Sequence, residues 1–346
     1  MPLRVLHLVG SAVSEFYADL SRLYASDCLT ATADPQRYEP LVAYVSPDRR
    51  WRFFEAVSPA NLDPDSIAAA EPLDVAGAIA RIDALRIDVM VPQMFCLPGM
   101  THYRALFDVL GIPYVGNRPD VMAIAADKAR ARAIVAAAGV RVPEGEVLRR
   151  GDVPTLVPPT VIKPVDTDNS LGLALVRQAT DYERAIKDAF THADAVLVER
   201  YVELGREVRC GVVERGGELV ALPLEEYDVD TDRKPIRDHA DKIDRSGDGE
   251  LNLVAKDAAH AWMVDVDDPI TERVWAAAKL AHVALGCRHY SLFDFRIDPD
   301  GEPWFLEAGL YCSFAKQSVV SMMAAAAGID LPELFGAAVD QALTGS

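Results

Sequence analysis

The chain has 346 residues, 50% of them hydrophobic and 25% charged, which is ordinary for a protein that buries large cores and leaves room for two or three domains. A formal net charge of −18 argues against a nucleic-acid partner, which needs a basic footprint. No apolar run reaches the length of a membrane span, and five scattered cysteines (Cys28, Cys96, Cys210, Cys287, Cys312), with no CxxC pair, point to free thiols in a reducing cytoplasm.

Residues 3–9 (LRVLHLV) read as a first strand ending at Gly10-Ser11, not as a signal peptide, because no small-residue cleavage site follows. A helix is predicted over 14–25, with Ser14 as its cap. Glu15 stands at the carboxyl end of the strand, where α/β sheets receive ligands. A second strand is predicted at 41–45. A helix over 75–85 leads into a buried strand at 87–91, the loop PQMFCLPGMT follows, and Thr101 can cap a helix to Leu110. Residues 111–116 predict a short strand between glycines. This alternation predicts a three-layer α/β domain with a largely parallel sheet. Residues 120–138 predict one Ala-rich helix ending at Gly139, and 140–145 an extended linker.

Beyond the linker the texture is β-rich. Strands are predicted at 160–164 and 173–176 around a polar loop, 168–172. A helix to about residue 190 and strands at 195–199 and 207–213 complete a second, α+β unit. Residues 225–268 are long, very polar and weakly periodic, which reads as a lid or a disordered segment. A helix over 271–285 ends at Gly286. Residues 291–318, SLFDFRIDPDGEPWFLEAGLYCSFAKQS, then read as strand, turn, strand, with Asp298-Pro299-Asp300-Gly301 as the turn. Asp294 and Arg296 share one strand face, and Phe293, Phe295 and Ile297 the other. With an even-numbered loop, Asp294 and Glu307 lie on one face, near-diagonal, on the order of 7 Å apart. Two such carboxylates suit a hard divalent cation; the alternative is a solvated hairpin with two unrelated acids. The last helix is predicted to start at 328–332.

The order of these signals is Asp127-Lys128, Lys163-Pro164, a Ser/Gly loop ending at Gly172, Glu199 and Glu207, Lys242, Asp294, Glu307, Ser318. In that order the chain resembles the ATP-grasp superfamily, and within it the D-alanine–D-alanine ligase family, over about residues 3–335. The resemblance implies an α/β and α+β protein of ATP-grasp fold: an N-terminal parallel-sheet domain (1–118), a small central subdomain (119–202), and a C-terminal metal-binding domain (203–346) with its lid at 225–268. It also implies roles. Lys128 and Lys163 contact ATP phosphates. Ser170 and Gly172 match the phosphate loop, whereas Asp168 and Asn169 depart from it. Glu199, Arg200, Tyr201 and Val202 form the adenine hinge, and Glu207 receives the ribose. Lys242 resembles the lid lysine. Asp294 and Glu307 ligate Mg²⁺ (or Mn²⁺). Ser318 binds the second substrate's carboxylate, Lys316 lies beside it, and Glu15 binds the first substrate's ammonium group.

Two positions break the family pattern. The third metal ligand, an asparagine, is Gly309 here, and the arginine that stabilises the oxyanion is Leu292. Arg296 shares the face of Asp294 and can substitute; Lys316 is a second candidate. The first domain's substrate loop is replaced by PQMFCLPGMT. The resemblance therefore implies a cytoplasmic ATP- and Mg²⁺-dependent carboxylate–amine ligase, acting on small amino-acid or peptide substrates other than the D-alanine pair, with no nucleic-acid or membrane partner. Homodimers are the family habit, though no stretch of sequence shows one. The alternative is a nucleotide-binding regulatory module that has lost its chemistry.

Overall fold

The computed structural model describes residues 1–55, 62–167, 171–230, 236, 244–245, 251–252 and 261–345. Strands β1 (Leu3–Gly10), β2 (Tyr38–Val45), β3 (Trp51–Phe54) and β4 (Val89–Pro92) form one sheet in the order β3-β2-β1-β4. β1 runs parallel to β2 and β4, as the alternation predicts, and β3 is an added antiparallel edge. Residues 111–116 contribute only a bridge, Met90 to Tyr114, because Pro113 can offer its carbonyl but no N–H.

Helix α1 (Glu15–Ala31) starts where Ser14 accepts from the Tyr17 amide. Two short helices, α2 (Pro64–Ala69) and α3 (Val75–Leu85), follow on this side of the chain. Thr101 does not cap α4 (Arg104–Leu110). It lies inside a preceding π-helical turn, donating to the Leu97 carbonyl at 2.7 Å. The single helix expected at 120–138 is two, α5 (Pro119–Ala126) and α6 (Lys128–Ala137). Asp127 breaks it: its carboxylate accepts from the Ala129 and Arg130 amides, each at 3.0 Å, and caps α6.

A second sheet, β5-β8-β6-β7, comprises β5 (Gly145–Leu148), β6 (Thr160–Pro164), β7 (Ala174–Val176) and β8 (Val196–Arg200), backed by α7 (Tyr182–Ala189). The third holds β9 (Arg206–Arg215), β10 (Glu218–Ala221) and β11 (Glu225–Tyr227). After a separate two-stranded ribbon of β12 (Asp244–Arg245) and β13 (Leu251–Asn252), the third sheet continues with β14 (Ala261–Met263), β15 (Tyr290–Ile297) and β16 (Pro303–Ala308). Its main path is β14-β11-β9-β15-β16, all antiparallel. One face of β15, with Phe293, Phe295 and Ile297, packs on α8 (Thr271–Leu285) in a core that also takes Met122, Ala131 and Val135 from α5 and α6. Helices α9 (Val319–Ala326) and α10 (Leu331–Thr344) cover the end of the sheet nearest the first sheet, packing also on Val5, Val89 and Val91.

Arg206, at the start of β9, bridges the two ends of the segment expected to be a lid. Its Nε donates to Glu226 at 2.8 Å, and its Nη1 donates to both oxygens of Asp268 at 2.9 Å.

Asn117, in the segment that follows the first sheet, ties that segment to the third sheet. Fully buried, it donates to the carbonyls of Tyr290 (2.9 Å) and Leu310 (3.2 Å) and accepts from the Arg288 amide (2.9 Å). Asn117→Ala strands three backbone groups, each costing about 1–3 kcal/mol when buried without a partner. A loss of about 3 kcal/mol in chemical denaturation is the expected result.

Candidate active site

The site grows from the β15–β16 hairpin. The register pairs Ile297 with Pro303, Arg296 with Trp304 and Phe295 with Phe305, so the connecting loop, 298–302, has an odd number of residues. An unbroken ladder would then set Asp294 opposite Leu306 and turn Glu307 to the other face. Instead the register shifts between Asp294 and Phe295, with Leu306 as the extra residue, and Glu307 stands directly opposite Asp294. The expected even loop and near-diagonal spacing are thus corrected. A bulge does the work, and directly opposed side chains have Cβ atoms about 4.5–5.5 Å apart.

On the other side of β15, Asp294 faces Arg209 of β9, which donates to it from Nε at 2.7 Å. Burial alone would lower the Arg209 guanidinium, but the charges of Asp294, Tyr227 and Glu225 hold it well above its ordinary value. One step along, Arg296 faces Glu207 and is only 2.6 Å from it. Arg296 also reaches the Val202 carbonyl at 3.4 Å and lies 5.3 Å over the Tyr201 ring. Its guanidinium is therefore turned to the hinge and the expected ribose acid, not to an oxyanion beside Asp294. One step the other way, Leu292 faces Gly211 and is buried in the cluster of Phe314 and Met323. Gly309 donates its amide to the Leu292 carbonyl at 2.8 Å.

The second sheet supplies the opposite wall. Lys163 on β6 meets Glu199 on β8 at 2.6 Å, and Arg132 of α6 meets the same carboxylate at 3.0 Å. Lys128 is the first residue of α6, so its charge adds to the positive end of the helix. Its Nζ donates to the Thr167 carbonyl and lies 3.9 Å from Glu307. Lys128, Lys163, Glu199 and Glu307 line one pocket of about 100 Å³ with Tyr201, Val202, Glu207, Asp294 and Arg296. Arg200 belongs to the same lining, though its side chain is paired with Glu144 at 2.6 Å.

Gly172 has φ +72°, and a Cβ there would meet His192 and Pro164 at 2.8 Å, so only glycine brings this loop against the end of β6. Ser170, with Asp168 and Asn169, and Lys242 lie outside the described residues. Away from the pocket, Glu15 is exposed in the first turn of α1. The Lys316 amide donates to Asp27 of α1 at 2.5 Å, and Ser318 holds the N-cap position of α9. Burial pushes the Cys312 thiol up to about 11, which leaves it inert as a nucleophile. Arg209 and Arg132 were not among the expected site residues. For Arg209 a signal exists: it stands two residues after Glu207 on one strand and so shares its face.

The family model described as D-ala D-ala ligase C-terminus matches residues 145–340. The D-alanine--D-alanine ligase of Methylorubrum populi is 32% identical over 240 residues, covering 67% of this chain and 73% of its own. Among solved structures, the D-alanine-D-alanine ligase from Coxiella burnetii superposes with a TM-score of 0.78 at 21% identity, covering 99% of this chain and 94% of its own. The VanG D-Ala:D-Ser ligase from Enterococcus faecalis does so with a TM-score of 0.78 at 20% identity, covering 99% and 100%. Their fold is the one described above.

Proposed function

The chain belongs to the D-alanine–D-alanine ligase family of ATP-grasp ligases, and from that premise we propose that it joins the carboxylate of one amino-acid-like substrate to the amine of another. The observation that carries this reading is one pocket in which Lys128, Lys163, Glu199, Glu207, Asp294 and Glu307 meet. ATP passes its γ-phosphoryl group to the carboxylate, the amine attacks the acyl phosphate, and phosphate leaves. The protein's part is positioning and charge neutralisation.

In this reading adenine lies along Glu199, Arg200, Tyr201 and Val202, and the ribose hydroxyls meet Glu207, which Arg296 holds in place. Lys128, Lys163 and Gly172 receive phosphate, with Ser170 and Lys242 closing over it. Asp294 and Glu307 form the cation site. Their opposed, partly exposed carboxylates are hard oxygen donors and suit Mg²⁺ or Mn²⁺, which keep water on their open positions. Such a cation supplies charge neutralisation at the phosphate oxygens. Glu15, Lys316 and Ser318 lie toward the amino-acid substrates. In this reading the chain divides into its three domains near residues 118 and 202.

Gly309 and Leu292 underlie a further point, that the substrates differ from a pair of D-alanines. Gly309→Asn tests the missing ligand. A Cβ at 309 meets nothing closer than Leu292 Cδ2 at 3.8 Å, so the side chain has room. Mn²⁺ affinity in the presence of ATP should rise several-fold with the fold unchanged.

Five buried free cysteines suit a reducing cytoplasm, and among the described residues no single helix is long and apolar enough to cross a membrane. A homodimer is what family membership suggests. The test of the whole reading is incubation with Mg²⁺, ATP and pooled D- and L-amino acids, reading phosphate release and product masses. Condensed products at the summed mass less one water are expected. Ordinary ATP binding with no product from any pool would favour the second reading, a nucleotide-binding regulatory module, which the loss of side chains at 309 and of charge at 292 supports.

A further inference from the structure

Position 292 carries no charge, yet this end of the sheet has a cation one row away. Glu225 of β11 pairs with Arg209 of β9, Arg209 with Asp294 of β15, and Asp294 with Glu307 of β16. Four charged side chains therefore cross four strands on one face. Arg209 sits in the middle, 2.7 Å from Asp294, with its guanidinium 5.2 Å over the Tyr227 ring. Leu292 pairs with Gly211, two residues along β9 from Arg209, so Leu292 and Arg209 are diagonal neighbours, about 7–8 Å apart at the backbone. An arginine side chain spans that distance.

The covering of the adjacent row explains why the charge is not at 292. A Cβ on Gly211 would meet Leu222 at 3.0 Å and Met323 at 3.1 Å, and Leu292 itself is packed among apolar side chains. A guanidinium there would be buried in the core between α9 and the sheet. On β9 it lies directly beside Asp294 instead, with its Nε 2.7 Å from the carboxylate. It also lies close enough to α1 to act on Tyr24, whose phenol burial raises and Arg209 lowers.

We propose that Arg209 is the reaction-centre cation of this chain, taking from the neighbouring strand the duty that the family gives to position 292 and at the same time fixing Asp294 and setting the charge of the cation site. The proposal rests on the ligase reading for its chemistry. When the amine nitrogen bonds to the acyl-phosphate carbon, the carbonyl electron pair moves onto oxygen beside this charge. The pair then re-forms the carbonyl, the carbon–oxygen bond to phosphate breaks, phosphate leaves with that bonding pair, and the nitrogen gives its proton to phosphate.

Two variants of the full chain test it, each with a readout that does not need turnover. Arg209→Met removes a cation competing for Asp294, so Mn²⁺ affinity of the substrate-free protein, followed by the spin-resonance signal of free Mn²⁺, should tighten at least threefold. Turnover should fall ten- to hundredfold with the KM for ATP within threefold, and Arg209→Lys should recover most of the turnover. Glu225→Gln leaves Arg209 less compensated and should weaken Mn²⁺ binding at least threefold, so it carries the test if Arg209→Met does not fold. Unchanged Mn²⁺ affinity in the folded variants, or a weaker affinity in Arg209→Met, would overturn the proposal. A wild-type protein that binds ATP and Mn²⁺ but makes no product overturns the ligase reading instead, and the Mn²⁺ measurements still decide whether Arg209 governs the charge on Asp294.

Discussion

Glu307→Gln should bring ATP-dependent product formation down by about a thousandfold while leaving the protein folded. Glutamine has the same size but offers a neutral amide where a hard cation needs charged oxygen. The electrostatic clamp on a transferring phosphoryl group contributes about 10²–10³ in kcat for a single lost donor, and here half of the two-carboxylate set is lost. The fold should barely notice. Glu307 is 35% exposed, its ladder hydrogen bonds belong to the backbone, and Lys128 at 3.9 Å keeps the Thr167 carbonyl as a partner. Stability should stay within about 0.5 kcal/mol of the parent. Binding of a non-hydrolysable ATP analogue by calorimetry, beside steady-state phosphate release, separates the two effects. A regulatory module has no turnover to lose and would show only the binding change.

Lys163→Met should act on both affinity and stability. The lysine is 10% exposed and Glu199 only 4%, so their 2.6 Å pair lies out of water. Removing one partner of such a pair costs about 3–5 kcal/mol when the other charge is left alone. Glu199 is not left alone, because Arg132 remains at 3.0 Å, and a loss of about 2 kcal/mol is the expected result. The charge-assisted hydrogen bond to phosphate proposed for Lys163 would contribute about 1.5–3 kcal/mol, so the KM for ATP should rise about 10- to 100-fold. Arg132→Met is the control. It removes the other partner of Glu199 and should lower stability without the same loss of ATP affinity. Equal effects of both variants on ATP would mean that Lys163 serves only the ion pair.

The first parallel sheet and the hairpin were readable from alternation and spacing, because each depends on neighbours close in the chain, whereas the ordered lysines and acids took their expected roles only from the family resemblance. The elements that were not readable depend on pairing across distance. The bulge at Leu306 is visible only once β16 is laid against β15, since nothing in the residues 298–302 fixes the register beyond Phe295. Arg209 and Asp294 are 85 residues apart in sequence and meet because β9 pairs with β15 over its whole length. Arg296 was read correctly as a face-mate of Asp294. Its direction was not readable, because it is set by Glu207 and the Tyr201 ring on another strand and in the hinge. The break at residue 127 was legible in principle. An aspartate before Lys-Ala-Arg-Ala caps a helix as readily as it interrupts one, and the cap prevails because Asp127 satisfies two amides there.

Arg206 gives the third sheet a property that matters for how such a chain can diversify. By holding Glu226 and Asp268 together, beside the pairing of β11 with β14, it brings the two ends of the segment between them to one place on the sheet. The entropic cost of closing a loop rises only with the logarithm of its length, about 0.6 kcal/mol for each doubling. Changes of length between β11 and β14 therefore leave the strands beneath with nearly the same free energy. The row of Glu225, Arg209, Asp294 and Glu307 lies outside that segment, so its length can change while the row stays as it is.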